Sequence, residues 1–435
     1  MSDVTMEKII SLCKRRGFIY PGSEIYGGLS GTWDYGPLGV ELKNNIKALW
    51  WSTFIRERDD MFGVDAAILM HPKVWEASGH VAGFSDPLVE CKKCKKRFRA
   101  DHVEGGKCPE CGGALGEVRQ FNMMFKTQIG AAEDEQSVSY LRPETAGGIF
   151  VNFKNVVDSF HPKLPFGIGQ IGTSFRNEIA PRDFIFRVRE MEQMEIEYFV
   201  RPSEWEAAFE EWRKESLGFF EAVGIEKNSV HELEVADGDR AHYSKRTIDF
   251  EFDFPFGRKE LSGLAYRTDF DLAAHAKASG QDISYLDADG SRTVPHVIEP
   301  SFGVDRTILA LLTSVYTEDE LGGETRTYLK FNKAVAPVKA AIFPLLKNKP
   351  ELVAKAREVY MMLKKVIPQI VWDDNGNIGK RYRRQDEIGT PYCITIDFDT
   401  LGENPELKDT VTLRDRDTGE QERVAIGELI AKIAA

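Results

Sequence analysis

Four cysteines stand at a spacing that can hold a metal: Cys91-x2-Cys94 and Cys108-x2-Cys111, with thirteen residues between the pairs. Four thiolates complete a tetrahedral shell and leave no open position, so a zinc ion held there is structural, not catalytic. Two disulfides or four idle thiols are the rival readings, and the lack of a secretion signal at the start favours zinc. Cys13 and Cys393 read as buried thiols. A second pattern combines cations with carboxylates. Gln170, Ser174, Arg176 and Glu178 share one face of an alternating stretch, and Arg187, Arg189, Met191, Gln193 and Glu195 share one face of the next. Paired antiparallel, the two gather arginines at one end and carboxylates at the other. Guanidinium groups suit planar, two-point binding of phosphate or carboxylate, and carboxylates suit an ammonium group. A solvated sheet face laced with salt bridges fits the same alternation equally well.

The elements that must position these residues follow from period and punctuation. At 435 residues the chain exceeds one ordinary core, so two or three domains are expected. A net charge of -12 argues against a uniformly basic nucleic-acid binder but allows local patches. Lys92, Lys93, Lys95, Lys96, Arg97 and Arg99 form one patch, and Lys380, Arg381, Arg383 and Arg384 another. Each is either a solvated surface or a phosphate contact. No apolar run reaches the ~20 residues that cross a bilayer, and the start has no apolar signal core. A cytoplasmic protein without a membrane partner is expected.

Residues 1–20 read as a helix, and a glycine-rich run covers 26–39. Helical period from 40 to 58 puts Ile46, Leu49, Trp50 and Phe54 on one side. A strand is expected at 65–70, ending at Pro72, and 86–118 reads as an insertion. Strands dominate 165–200, 247–273 and 294–301. Helical spacing runs through Trp205, Phe209, Trp212 and Phe219, and another helix follows Gly303. After 337, short apolar strands (340–343, 392–397, 410–414) alternate with helical patterns (351–365, 426–434), the mark of a separate α/β domain.

An ordered set of segments carries a resemblance. Phe175-Arg176-Asn177-Glu178 resembles motif 2 of class II aminoacyl-tRNA synthetases, and Glu299-Pro300-Ser301-Phe302-Gly303-Val304-Asp305-Arg306 resembles motif 3. The 40–58 helix, the strand after it and Pro72 look like motif 1. The glycine-rich run, Leu141-Arg142-Pro143-Glu144-Thr145-Ala146 and Asp386-Glu387-Ile388-Gly389 narrow the likeness to the glycyl enzymes of the dimeric type. The likeness spans nearly the whole chain. No GxxxxGK phosphate loop occurs, and no GxGxxG follows a strand. Side-chain arginines on a sheet must then hold ATP, as the resemblance implies.

That resemblance implies an α+β fold: a class II antiparallel sheet flanked by helices over 1–330, then a C-terminal α/β anticodon-binding domain over 335–435. The catalytic part carries the zinc-ribbon-like insertion at 86–118 and a helical insertion at about 202–246. It implies a homodimer that activates glycine with ATP and Mg2+ and passes it to the 3′ end of tRNA(Gly). The attacking carboxylate is already ionised near neutrality, so no general base is needed. Arg176 and Arg306 are the implied catalytic residues. Arg176 bridges the amino-acid carboxylate and the α-phosphate, while Arg306 and Arg187 grip the distal phosphates. Glu178 meets the adenine amino group, and Met191 stands where relatives often place an aromatic ring against adenine. Glu260 and Glu299 complete the ATP side, with Glu260 as magnesium ligand. Glu144, Glu195, Arg267, Glu299 and Ser301 surround glycine. No editing domain is expected, because no proteinogenic amino acid is smaller than glycine. Gly147 replaces the Gln usual after Pro-Glu-Thr-Ala, and the sequence offers no reason for it. Two rivals remain: an accessory subunit, expected to lack the ATP-gripping arginines, and a class II enzyme for serine, proline or alanine, against which the 26–39 run and the glutamates argue.

Overall fold

The computed structural model describes residues 4–131, 137–241 and 243–434. Helix α1 (Met6–Arg16) is closed by the Thr5 side chain at its start and by left-handed Gly17 at its end. Of the 1–20 read as helix, residues 1–3 lie outside those described, and Ile19–Pro21 is a short strand. Helix α2 (Pro37–Trp51) begins with a proline, and Leu42, Ile46 and Trp50 form its buried stripe at four-residue spacing. Leu49 is only half buried. The helix continues as a π-helical turn, Ser52–Arg56, that buries Phe54 and Ile55 together.

The strand expected at 65–70 falls earlier, at β1 (Met61–Gly63), because pairing with a neighbouring strand and not local propensity selects it. The cysteine segment is built on β2 (Ser85–Glu90), β3 (Arg97–Arg99) and β4 (Arg119–Asn122). Helix α3 (Ala146–Phe160) leads to β5 (Phe166–Phe175) and β6 (Glu190–Val200), which pair antiparallel. Arg176, Glu178, Arg187 and Arg189 all lie beyond these strand ends, in the connection, so strand alternation does not govern them. Next come α4 (Trp205–Val223), β7 (Val230–Glu234), β8 (Arg246–Phe254), β9 (Gly257–Thr268), α5 (Phe270–Ser279), β10 (His296–Gly303) and α6 (Val304–Val315). Two readings change here. Residues 270–273 begin a helix, not a strand end. Residues 202–246, read as a helical insertion, hold α4 and then β7, an edge strand of the main sheet.

The main sheet has the order β7-β8-β9-β10-β6-β5-β1, with only β1 and β5 parallel. One face is sealed. Met194, Ile196 and Tyr198 of β6, Leu264 of β9, and Ile298 and Phe302 of β10 share a core with Trp50, Phe54, Trp212, Phe219 and Ile308. The Phe54 ring stacks on Phe302 with centroids 5.7 Å apart and meets Trp212 at 5.6 Å. Full burial of each such side chain stabilises the fold by about 1.5–3 kcal/mol. The other face is covered at one end only. There, Phe150 and Phe153 of α3 and Leu272 of α5 press on Phe166, Ile168, Phe199 and Val297. The rest of that face carries Gln193 and Glu195 from β6 and Glu299 and Ser301 from β10.

A hairpin (Tyr316–Leu321, Glu324–Leu329) precedes the second core. That core is built from β11 (Ala340–Pro344), α7 (Pro350–Lys364), β12 (Ile370–Trp372), α8 (Ile378–Glu387), β13 (Tyr392–Ile396), β14 (Thr410–Asp415), β15 (Gln421–Ala425) and α9 (Leu429–Ala434), with sheet order β12-β11-β13-β14-β15. Asp386 is 2% exposed. It takes two bonds from Arg414, at 2.8 and 3.0 Å, and meets Arg326 of the hairpin at 3.3 Å. Glu387 pairs with Arg16 of α1. The Asp386–Gly389 segment is therefore a joint between the two cores. The basic run beside it is also engaged within the protein. Arg381 is buried and donates to the carbonyls of Pro344, Asp374 and Gly376, Arg384 pairs with Asp373, and Arg383 with Glu324.

Packing explains Gly147. A β-carbon there would lie 2.8 Å from the ring of Trp75, which is fully buried. Gly147→Gln is expected to destabilise the protein by about 1–3 kcal/mol through overpacking, read as a lower urea midpoint. An unchanged midpoint would mean that the indole yields freely.

Candidate active site

The uncovered half of the sheet floors a cavity of about 340 Å3. Its wall contains Arg176, Glu178, Arg187, Met191, Glu260 and Arg306 together with Glu144, Glu195, Glu299 and Ser301. Residues from five separated stretches of chain thus meet at one place. Arg176 lies between the two sets: both Glu144 and Glu260 feel its charge.

The cationic part is assembled from loops that the structure braces. Arg176 donates through Nε to the Pro143 carbonyl at 3.1 Å. Arg306, at the start of α6, lies with its guanidinium 4.5 Å from the Phe186 ring centroid and 3.2 Å from the Glu260 carboxylate. That ion pair, more than the opposing burial, holds Glu260 below the usual carboxylate range. Arg187 is crowded: its own burial, then the like charges of Arg99, Arg182 and Arg306, weigh against its cationic form, with Glu178 opposing them. Among the described residues, its Nη1 and the Oε2 of Glu178 are buried without hydrogen-bond partners. Buried polar atoms are rarely left so. An anionic oxygen for the guanidinium and an amine donor for the carboxylate would satisfy both, and these are the groups of a nucleoside phosphate with an exocyclic amine.

The glycine-rich run buttresses this region without lining it at Gly27 or Gly28. The Gly31 carbonyl accepts from the Arg189 amide at 2.8 Å, while the Arg189 side chain donates to the carbonyls of Ser30 and Glu178. Tyr35 donates its hydroxyl to Asp305, whose other oxygen accepts the Glu192 amide at 3.0 Å. The run therefore fixes the entry of β6 and the first turn of α6 relative to each other.

The acidic part rests mainly on strand interiors, with Glu144 supplied by the turn ahead of α3. Glu195 accepts from the Thr145 amide at 3.1 Å, from the Thr145 hydroxyl, and from Ser301 Oγ at 2.7 Å. Its burial, then the charge of Glu144, push its pKa up. Glu144 sits 3.3 Å from His80 Nε2, and His80 Nδ1 is 2.8 Å from Ser78 Oγ. Arg267 is not on the wall. It lies behind it, 1% exposed, bonded to Glu299 and, at 2.8 and 2.9 Å, to Asp271. The Tyr243 ring covers its guanidinium at 3.8 Å.

The cysteines come together away from this wall. Cys91 and Cys111 Sγ are 3.6 Å apart, as are Cys94 and Cys108, and all four lie within 4.8 Å of one another. A zinc tetrathiolate with Zn–S near 2.3 Å has edges of about 3.8 Å, whereas a disulfide needs about 2.05 Å. The arrangement fits a four-coordinate ion. Cys13 and Cys393 are single buried thiols.

Part of the wall lies outside the sequence motifs. Asp249, Arg240 and Tyr243 line the cavity. Burial, then the neighbouring Glu260 and Glu251, push Asp249 up to about 7. Its signal was present: Thr247, Asp249 and Glu251 alternate with Ile248, Phe250 and Phe252, which marks a polar sheet face. Arg240, Ala241 and Tyr243 belong to no regular element, so no period marks them.

Electrostatics at Glu144 lead to a pH prediction. Its burial is outweighed by His80, Arg267 and Arg176, which hold it down at about 2 against an ordinary 4.5. A depressed carboxyl stabilises the fold fully above pH 4.5, and that contribution is lost as pH falls through 2. Glu144→Gln should therefore flatten the dependence of the urea midpoint on pH across that window. An unaltered slope would show that Glu144 titrates normally.

Comparison with known proteins agrees with this geometry. Residues 125–315 match the tRNA synthetase class II core domain (G, H, P, S and T), and residues 339–435 match an anticodon binding domain. The chain is 50% identical to a glycine–tRNA ligase from Caldanaerobacter subterraneus subsp. tengcongensis, over 98% of this chain and 97% of that protein. It is 48% identical to the one from Treponema denticola, over 99% and 96%, and 51% identical to the one from Clostridium tetani, over 99% and 98%. A fold built around this wall and an identity of about half along the full length together place the chain in the glycine–tRNA ligase family of class II synthetases.

Proposed function

We propose that the protein joins glycine to ATP as glycyl-adenylate, releasing pyrophosphate, and then transfers the glycyl group to a hydroxyl at the 3′ end of tRNA(Gly), releasing AMP. One observation carries the reading: Arg176, Arg187 and Arg306 converge on one cavity with the carboxylates of Glu144, Glu195 and Glu299. An oxygen of the glycine carboxylate attacks the α-phosphorus, and the bond to the β-phosphate oxygen breaks. The protein contributes position and charge. Arg176 spans the glycine carboxylate and the α-phosphate. Arg187 and Arg306 hold the distal phosphates, Glu178 accepts from the adenine amine, and Met191 packs on the base. Glu144, Glu195, Glu299 and Ser301 receive the ammonium group, with Arg267 holding Glu299 in place from behind. Selection against larger amino acids works by exclusion, since glycine offers no side chain to grip.

Glu260, its side chain half exposed at the cavity, is the residue that would hold magnesium, with Asp249 near enough to feel its charge. When bound, the ion neutralises phosphate charge. Zinc in the four-cysteine site would staple the 86–118 insertion. Residues 1–330 then serve as the catalytic domain and 335–435 as the domain that reads the anticodon. A homodimer through α2 and β1 and a cytoplasmic location complete the reading. Among the described residues no helix is long and apolar enough to cross a membrane.

Two measurements test it. Glycine alone among a panel of amino acids should support ATP–pyrophosphate exchange, and Arg176→Lys or Arg306→Lys should each lower kcat/KM by roughly 10²–10³. Exchange with alanine or serine, or full activity in both variants, would overturn the assignment. For the insertion, Lys92, Lys93 and Lys95 are exposed. Replacing all three by Glu should weaken tRNA binding and reduce the salt slope by about 0.7–0.9 for each phosphate that is no longer neutralised. An unchanged dissociation constant and slope would make the insertion a scaffold.

A further inference from the structure

Glu197 is used by none of the steps above, yet it is a carboxyl group set wholly inside the molecule. Its side chain is completely buried, and among the described residues neither carboxylate oxygen has a hydrogen-bond partner. It follows Glu195 on the same face of β6, one step deeper, where the cavity wall gives way to the apolar cluster around Phe199. The register of β6 with β10 pairs Glu195 with Ser301 and Tyr198 with Ile298, which sets Glu197 opposite Glu299. On its other side it faces Ile168 of β5. The charged groups around it are Glu195 on β6, Glu299 on β10, Arg267 on β9 and Asp271 on α5. The α3 residues packed on this region, Ala146, Ile149, Phe150 and Phe153, are apolar.

This neighbourhood holds too many carboxyls for its cations. Arg267 is already bonded to both Glu299 and Asp271. An ionised Glu197 would be a buried charge with no bonded donor or ion-pair partner among the described residues, facing a second carboxylate across the strand pair. Two such groups do not ionise together. Burial presses both towards the neutral form, and Arg267 is bonded to Glu299 alone of the two.

We propose that Glu197 is a positioning residue that stays a neutral acid and steers its proton towards Glu299, keeping the Glu299 carboxylate ionised and aimed at the amino-acid ammonium group. A neutral carboxylic acid is a hydrogen-bond donor that an ionised one cannot be. It also limits the negative charge of the wall, which must attract an ammonium group without repelling a carboxylate and a triphosphate. The inference rests on glycine as the substrate.

Three variants test it, with ATP–pyrophosphate exchange measured against glycine and against ATP. Glu197→Gln keeps shape, neutrality and a donor, so KM for glycine should stay within about twofold of the parent. Glu197→Met keeps volume but has no donor. It should raise KM for glycine about tenfold or more while KM for ATP holds, with a thermal midpoint equal to or above the parent's. Glu197→Asp withdraws the acid by one methylene and should fall between them. A rise in KM with Gln as large as with Met would show that the charge is required, and would overturn the proposal. So would a Met variant with unchanged KM for glycine, which would make Glu197 a packing residue only. Absence of glycine-dependent exchange in the parent protein would instead strike at the substrate assignment, so the two failures are distinguishable.

Discussion

A sheet face can hold a dense set of carboxylates and guanidinium groups only if other surfaces supply the packing energy. Here the entire reverse face and one end of the working face do so. The aromatic layer of Trp50, Phe54, Trp212, Phe219 and Phe302 anchors β6 and β10 from below, and the α3–α5 cluster clamps their far ends. Between the two clamps Gln193, Glu195, Glu299 and Ser301 face the cavity with little freedom to move. The site's charges are tolerated because that packing already holds the strands that bear them.

The two halves of the site are made differently. Its carboxylates come mainly from strand interiors, where the backbone ladder fixes their spacing. Its arginines come from the β5–β6 connection and the first turn of α6, where no ladder fixes their direction. Tertiary bonds supply the missing rigidity: the Pro143 carbonyl for Arg176, the Phe186 ring for Arg306, the glycine-rich run for Arg189 and Asp305. A rigid acidic cup with braced cationic arms suits a substrate whose ammonium end is small and whose partner carries a long, flexible phosphate chain.

Charge also serves the architecture. Arg326, Arg414 and Arg416 gather at the junction with the C-terminal core, where Asp386 meets the first two and Arg416 donates to the Phe331 carbonyl. Arg381, Arg383 and Arg384 are likewise bonded within the protein. The basic appearance of that run in the sequence thus overstates what it offers to RNA. Exposed cations remain on the cysteine insertion at Lys92, Lys93 and Lys95.

Local pattern determined much of this protein. Four-residue apolar spacing marked α2 and α4, two-residue alternation marked β6 and β8, and the paired cysteines marked a group of four thiols within 4.8 Å of one another. Those signals are legible because they arise from neighbours in the chain. The family likeness named a candidate set for the site, and the cavity gathers all of it except Arg267, adding Asp249, Arg240 and Tyr243. The tertiary structure alone decided where each charge ends: Arg267 behind the wall, Asp386 in a joint, Glu197 deep in the sheet without a hydrogen-bond partner among the described residues. It also put Gly147 under an indole. A side chain's burial and bonding depend on groups tens or hundreds of residues away, and no periodicity in a single strand or helix carries that information.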